Sequence, residues 1–388
     1  MATASLYFHV PFCRTRCHYC DFVSRAIPGP IPDAYVDGLI REIERKSDHL
    51  DRPATVFLGG GTPSLLTPRQ LSQIIGRLRC LLGLQPNAEI TVEANPDDIS
   101  EPLARAWRDL GINRVSIGVQ SLDNRVLHYL GRRHDADRAR AAMDIVAGLF
   151  ENWSVDLIFG ALPRNTLGRT LRDIIRRDPS HLSVYGLTWE PGTPLYTRLE
   201  EAPDEETWLE LYDTAETMLT AAGWEHYEIS SYARPGHQCR HNLVYWRNES
   251  YEGMGPAAWR FDGNRREKNP DTLHEWLKRP GDPEESEMLS DFDIRVETVI
   301  QHMRLAAGID GQAYRNRFGS TLEVDFGTAL RRCEAEGLLI PVPENKNTRW
   351  RPTPKGFRLN NRIGLLLLEC RPSQSNRDSI DARRVAAS

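Results

Sequence analysis

SLYFHVPFCRTRCHYCDF occupies residues 5–22. Its first six residues are apolar and aromatic enough for a buried strand, and the proline that follows marks the strand's end. Three cysteines, Cys13, Cys17 and Cys20, then fall within eight residues. Outward from this stretch, short β-branched runs alternate with longer helical patterns. Strands are predicted at 55–58, 89–93, 114–119, 154–159 and 181–187, and helices at 33–50, 68–81, 101–110, 136–150 and 166–177. Several helices open on a cap or an early proline, as in Thr67-Pro68 and Ser100-Glu101-Pro102. Strands alternating with helices mean βαβ units and a parallel sheet. Six consecutive units favour an α/β fold of the TIM-like type, a partial (β/α)6 barrel, over an open doubly wound sheet.

The chain has 388 residues, enough for a barrel and an appended module. Hydrophobic residues make up 40% and charged residues 27%, the composition of a globular protein with a sizeable core. With 49 Lys+Arg against 54 Asp+Glu the net charge is -5, which argues against a broad nucleic-acid-binding surface. Residues 1–10 show no basic segment leading into an apolar one, so no signal peptide is expected, and the longest apolar stretch, 363–368, is far too short to span a bilayer. A soluble, cytoplasmic protein is expected. The seven cysteines are odd in number, which disfavours a disulfide framework and leaves the 13–20 cluster in need of a metal or redox explanation.

The expected organisation is a barrel over 1–200, a barrel-completing segment over 201–280, a C-terminal winged-helix-like α+β module over 281–372 and a flexible tail over 373–388. Within the second part, 204–222 reads as one amphipathic helix and 225–230 as a strand. The acidic, proline-rich stretch 280–286 reads as a linker. Helices at 294–305, 311–318 and 323–336, then runs at 338–342 and 350–353 about a polar turn, outline the winged module.

In such a barrel, chemistry gathers at the C-terminal ends of the strands, and the unusual residues stand at those ends. The cysteines follow the first strand and Gly59-Gly60-Gly61-Thr62-Pro63-Ser64 the second. Glu93-Ala94-Asn95-Pro96 ends the third, Gln120-Ser121 the fourth; Asp156 lies within the fifth and Tyr185 near the end of the sixth. Three thiolates in one loop can hold three irons of a cubane cluster and leave the fourth open. A structural zinc with His9 or His18 as fourth ligand is the alternative, though no second C-x-x-C accompanies it. The glycines would let backbone N–H groups approach a polar ligand. Glu93, Gln120 and Asp156 read equally as satisfied strand-end residues, and Arg132 as a solvated charge.

The string Tyr7-x-His9-x-Pro11-Phe12-Cys13-x-x-x-Cys17-x-Tyr19-Cys20-Asp21-Phe22 resembles the signature of radical S-adenosylmethionine (SAM) proteins. More narrowly it is similar to the group around oxygen-independent coproporphyrinogen III oxidase and the haem chaperones of the HemW branch. The resemblance continues through 59–64, 92–96, 118–121, 155–160, 227–230 and 297–305, and covers most of 5–365. It implies a [4Fe-4S] cluster on Cys13, Cys17 and Cys20, with SAM chelating the open iron. It further implies Tyr7 and Tyr19 beside the cluster or adenine, Gly60, Gly61 and Thr62 at the methionine end of SAM, and Glu93, Gln120, Arg132 and Asp156 on its polar groups.

Two features select the branch. The oxidases resemble C-x-x-x-C-x-x-C-x-C, whereas here Phe22 stands at the fourth place, and the N-terminal extension expected of the oxidase does not precede the first strand. His241-Asn242-Leu243-Val244-Tyr245-Trp246 matches the HNxxYW motif of the chaperone branch, which implies His241 as a haem ligand, with Cys239 the rival; the bland reading is a loop-capping histidine. One departure is Trp259, where the branch tends to carry histidine in Gly-x-Gly-Pro-x-Ala-His-Ser. The resemblance thus implies a haem chaperone passing haem to a recipient haem protein, membrane-associated or not, without nucleic acid and with homodimerisation left open. The alternatives are enzymes on the same scaffold: the coproporphyrinogen III dehydrogenase, or a class C-type radical SAM methyltransferase.

Overall fold

The computed structural model describes residues 5–344 and 347–371; the tail 373–388 read as flexible lies outside the described residues. The chain divides into two compact units, one of residues up to 245 with 249–288, the other of 246–248 with residues from 289 on.

The first unit is built on one sheet. Strands β1 (Ser5–Val10), β2 (Thr55–Gly60), β3 (Glu89–Ala94), β4 (Arg114–Gln120), β5 (Trp153–Phe159) and β6 (His181–Gly186) lie side by side in chain order, all parallel. Beyond β6 come antiparallel β8 (Ser231–Ala233) and then β7 (Glu225–Glu228). At the other edge β9 (Glu252–Met254) adds a further parallel strand beside β1, with Leu6 opposite Glu252. The sheet is thus an open, partial barrel, as expected. The crossovers include α1 (Asp33–Lys46), α2 (Pro68–Leu81), α3 (Glu101–Asp109), α4 (Asn124–Tyr129), α5 (Ala136–Ala147) and α6 (Leu167–Arg177). Thr67 and Gln70 form a capping box at the start of α2, with Pro68 at the first helical position. In α6, Leu167, Thr170, Leu171 and Ile174 repeat on one buried face.

Strand alternation sorts the residues into two faces. One parity, including Ile90 and Val92, Val115 and Ile117, Val155 and Leu157, Leu182 and Val184, packs on the helices in a single apolar core with Leu71, Trp107, Met143 and Leu171. The other parity faces the lumen and is polar: Glu89, Thr91 and Glu93 on β3, Arg114 and Ser116 on β4, Ser154 and Asp156 on β5, His181 and Ser183 on β6 are its members. Helix α7 (Glu205–Ala221) and helix α8 (Arg240–Trp246) follow the parallel strands. A small antiparallel sheet of β10 (Trp259–Phe261), β11 (Arg265–Lys268) and β12 (Glu285–Met288) was not legible in the sequence, and β12 takes the end of the stretch read as a linker.

The second unit carries α9 (Asp291–His302), α10 (Gly311–Phe318) and α11 (Leu322–Ala335), followed by the hairpin β14 (Leu339–Glu344) and β15 (Asn347–Pro352), with β13 (Ile309–Asp310) on the far side of β15. Its core gathers Val299, Tyr314, Phe326, Leu330, Trp350 and Leu366. This is the winged-helix-like arrangement expected. Among the described residues no helix is long and apolar enough to cross a membrane.

Candidate functional site

The cysteine loop is pinned at both ends. Phe12 and Cys13 pair with Arg25 and Ala26, the Arg25 N–H donates to Pro11 O at 2.9 Å and the Ile27 N–H to Cys13 O at 2.9 Å. Further along, the His18 N–H donates to Leu130 O at 3.0 Å, which ties the Cys17–Cys20 turn to the end of α4. All three thiols are free, Cys13 buried and Cys17 and Cys20 half-buried. Burial pushes the Cys13 and Cys20 thiols up, so deprotonation there calls for a bound cation. A single zinc would need its ligands to converge on one point. Among the described residues no three His, Cys, Asp or Glu side chains are so gathered, whereas a cluster bound one iron per thiolate does not ask its ligands to meet at one point.

These thiols open into a cavity of about 430 Å³ at the C-terminal mouth of the strands, whose lining includes Tyr19, Gly60, Gly61, Thr62, Glu93, Gln120, Arg132 and Asp156. Gly60 has φ +107°, and a Cβ there would stand 2.6 Å from His9 Nδ1; one at Gly61 would stand 2.7 Å from Phe12 O. Only glycine lets this turn come so close to the loop. Gln120, at φ 63°, sits where the β4–β5 register slips by one residue, and the slip turns its side chain into the cavity.

Arg132 is not a solvated charge. Its Nη1 donates to Cys17 Sγ at 3.3 Å and its Nη2 to Gly118 O at 2.8 Å and to Asn95 Oδ1, while Nε is buried without an acceptor. Asn95 in turn donates through Nδ2 to Thr62 Oγ1 at 3.1 Å, joining the glycine turn to the arginine. Opposite, Glu93 accepts the Gly60 N–H at 3.1 Å and burial, then the neighbouring Asp156 charge, pushes it up to about 8. Asp156 is also raised by burial, opposed by hydroxyls such as Ser116 Oγ at 3.0 Å. A buried, proton-poised carboxylate pair facing an orphaned guanidinium N–H is suited to a ligand bearing both ammonium and carboxylate groups.

The comparisons with known proteins agree with this geometry. Residues 7–173 match the radical SAM superfamily and residues 289–359 the HemN C-terminal domain. A protein named heme chaperone HemW from Lactococcus lactis is 33% identical over 92% of this chain and 96% of its own. That from Synechocystis is 38% identical over 80% of this chain and 79% of its own, and that from Escherichia coli 40% identical over 66% and 69%. The chain belongs to the radical SAM superfamily, in the HemN-like group that includes HemW. Among solved structures, coproporphyrinogen III oxidase (HemN) from Escherichia coli has the same fold, with a TM-score of 0.81 and 22% identity over 94% of this chain and 90% of that one.

Radical SAM membership implies a [4Fe-4S] cluster and SAM, and the donor set at the mouth fits both. Of the residues singled out from the sequence, Tyr7 and His241 are not among those lining this cavity. They face a second, polar cavity of about 200 Å³ inside the barrel, with Arg114, Ser183 and Asn242. His241 is buried, 5.0 Å from the Phe57 ring in a stacked pose, with Nδ1 bonded to Thr55 Oγ1 at 2.8 Å and Nε2 to Tyr245 OH at 2.9 Å. Burial drives its pKa down to about 3. Glu89 accepts the N–H groups of Arg240 at 3.1 Å and His241 at 3.0 Å, so α8 plugs the N-terminal end of the barrel. Cys239 is buried beside Glu89, its thiol is pushed up to about 12 by burial, and it lines neither this polar cavity nor the cysteine cavity. Trp246 packs in the second unit under the Arg304 guanidinium, 4.4 Å from its ring centroid.

Sequence reasoning missed Asn95 as a site residue although it lies inside a quoted motif. It also missed Glu89, Arg114 and Ser116. The period-two polar parity shared by β3 to β6 is the signal that could have found them.

Proposed function

We propose that Cys13, Cys17 and Cys20 hold the [4Fe-4S] cluster, that SAM occupies the adjoining cavity, and that the chain binds haem and delivers it to a recipient haem protein. The cluster and SAM assignment rests on one observation: thiols, glycine turn, carboxylate pair and Arg132 share one cavity. When bound, the reduced cluster supplies the electron that can break a carbon–sulfur bond of SAM. The chain's own residues bind and orient. Gly60, Gly61 and Thr62 let the ligand lie against backbone, Glu93 and Asp156 offer acceptors to its cationic and hydroxyl groups, and a nearby ammonium would draw Glu93 toward its ionised form. Gln120 and Tyr19 complete the wall. Arg132 donates to Cys17 Sγ and so fixes where that sulfur stands. Tyr7 has no part in this reading.

Haem binding is supported by the relatives named as heme chaperones. Phe22 supports it as well: its side chain is exposed where the oxidase pattern places a cysteine. The test is an anaerobic haemin titration of the full, cluster-reconstituted chain followed by absorbance. Saturable, stoichiometric binding is expected. A chain that binds no haemin but cleaves SAM when given a porphyrinogen would instead be an oxidase.

A further inference from the structure

A third cavity, also about 430 Å³, lies within the first unit beside the other two. It shares Gly60 and Phe22 with the cysteine cavity, and Tyr7 and Tyr245 with the lumen. Its walls are rings: Tyr7, Phe22, Tyr245, Tyr251 and Trp259. Phe22 is 59% exposed, Trp259 38% and the adjacent Val23 41%, so large apolar side chains crowd at one opening. Apolar groups grouped around a concavity mark a binding site more often than a bare surface.

The rings are held in place before any ligand arrives. Tyr245 and Tyr251 meet edge to face with centroids 4.7 Å apart. The backbone of Trp259 lies on Gly253, where an added Cβ would stand 2.0 Å from Trp259 O, so β9 can carry no side chain at that point. Lys268 Nζ stands 5.7 Å from the Trp259 ring centroid, held by Asp271 at 2.9 Å and Glu285 at 3.3 Å, and Asp21 is the one carboxylate among the described lining residues. Flat aromatic walls suit a flat, conjugated, largely apolar ligand. Haem has that chemistry.

We propose that this aromatic pocket receives the face of haem, that Tyr245 and Trp259 are the walls it packs against, and that His241 is a positioning residue for Tyr245 rather than the iron ligand. The proposal rests on the haem-binding reading above and gives it a place. Both ring nitrogens of His241 are already bonded, one of them to the Tyr245 hydroxyl, so ligation through either would forfeit the hydrogen bond made there. Within the HNxxYW motif, then, Tyr245 is the residue that reaches the pocket.

Two probes separate packing from ligation: haemin, and protoporphyrin IX without iron, each titrated into the full cluster-reconstituted chain. The parent is expected to bind both. Trp259→Ala, at a half-exposed position that leaves the fold intact, should weaken both by about tenfold or more. Tyr245→Phe keeps the ring but loses the hydroxyl through which His241 holds it, and should weaken both probes to the same extent as His241→Gln. His241→Gln should weaken both probes alike, with the Soret maximum of bound haemin unmoved. Parent-like affinity for both probes in Trp259→Ala overturns the pocket. A Soret shift in His241→Gln that added imidazole restores overturns the positioning role and makes His241 the ligand. A parent that binds neither probe saturably overturns the haem reading itself, and the pocket with it.

Discussion

Glu89 and Glu93 stand on one face of β3, Glu89 toward the base of the barrel and Glu93 toward its mouth. Glu89 is engaged by two backbone N–H groups of α8, with the Cys239 thiol 3.7 Å away. Glu93 accepts one backbone N–H, from Gly60, and sits against a second carboxylate. The same residue type is a fastener at one end and a proton-poised group at the other. The lumen is polar along its whole length, and what distinguishes its two ends is how many donors answer each acceptor.

That contrast can be broken most severely at the mouth. Cys17→Ser should abolish assembly of a full cluster, read as iron and sulfide content after anaerobic reconstitution, while thermal unfolding of the cluster-free chain stays near the parent's. A variant that still assembles four irons contradicts the ligand set. At the base the effects exchange places. Glu89→Ala leaves two helix N–H groups, the His241 one buried, without an acceptor and should destabilise by about 1–3 kcal/mol in denaturant unfolding, yet load iron normally. Loss of iron in that variant would mean that the base is not separate from the site.

Titration sharpens the same comparison with smaller effects. At the base, the folded His241 pKa of about 3 lies below the ordinary 6.5. Its contribution is therefore present above pH 6.5 and lost as pH falls toward 3, at up to about 1.4 kcal/mol per pH unit. His241→Gln should flatten that acid slope. At the mouth, the folded Glu93 value of about 8 lies above the ordinary 4.5, so its contribution is present below pH 4.5 and lost as pH rises through 8. Glu93→Gln should flatten the slope between pH 5 and 8 in the cluster-free chain. Opposite variants flattening opposite limbs of one stability–pH curve is the outcome expected; the same limb for both contradicts the assignment. Smallest of all, Phe22→Ser should change stability by no more than about 0.5 kcal/mol, since the ring is exposed.

The six parallel strands were legible because each buries one apolar parity against a helix, and that repeat is local in sequence. Three β9 residues, and β10 to β12 of three or four residues each, have no such repeat; β9 exists because β1 offers it an edge. At the site, the cysteine loop, glycine turn and strand-end carboxylates could be read because topology puts every strand end at the mouth. Arg132 could be read only through family resemblance, since its burial comes from Asn95, Gly118 and Cys17, which are remote in sequence. His241 was visible as a motif, but a motif carries no depth. Thr55, Phe57 and Glu89 decide that it lies under the barrel.

The pairing of Leu6 with Glu252 has a consequence for how the chain is made. During synthesis the outer edge of β1 has no partner until nearly the whole barrel unit has left the ribosome, a wait on the order of tens of seconds at ordinary elongation rates. Through that interval an apolar strand edge stands open to other chains. Once β9 arrives it is secured by Lys46, which bonds Glu252 at 2.7 Å and Glu42 at 2.7 Å out of solvent. Sealing this seam is thus a late event in the chain's biogenesis, and the growing polypeptide is most vulnerable to misassembly just before it.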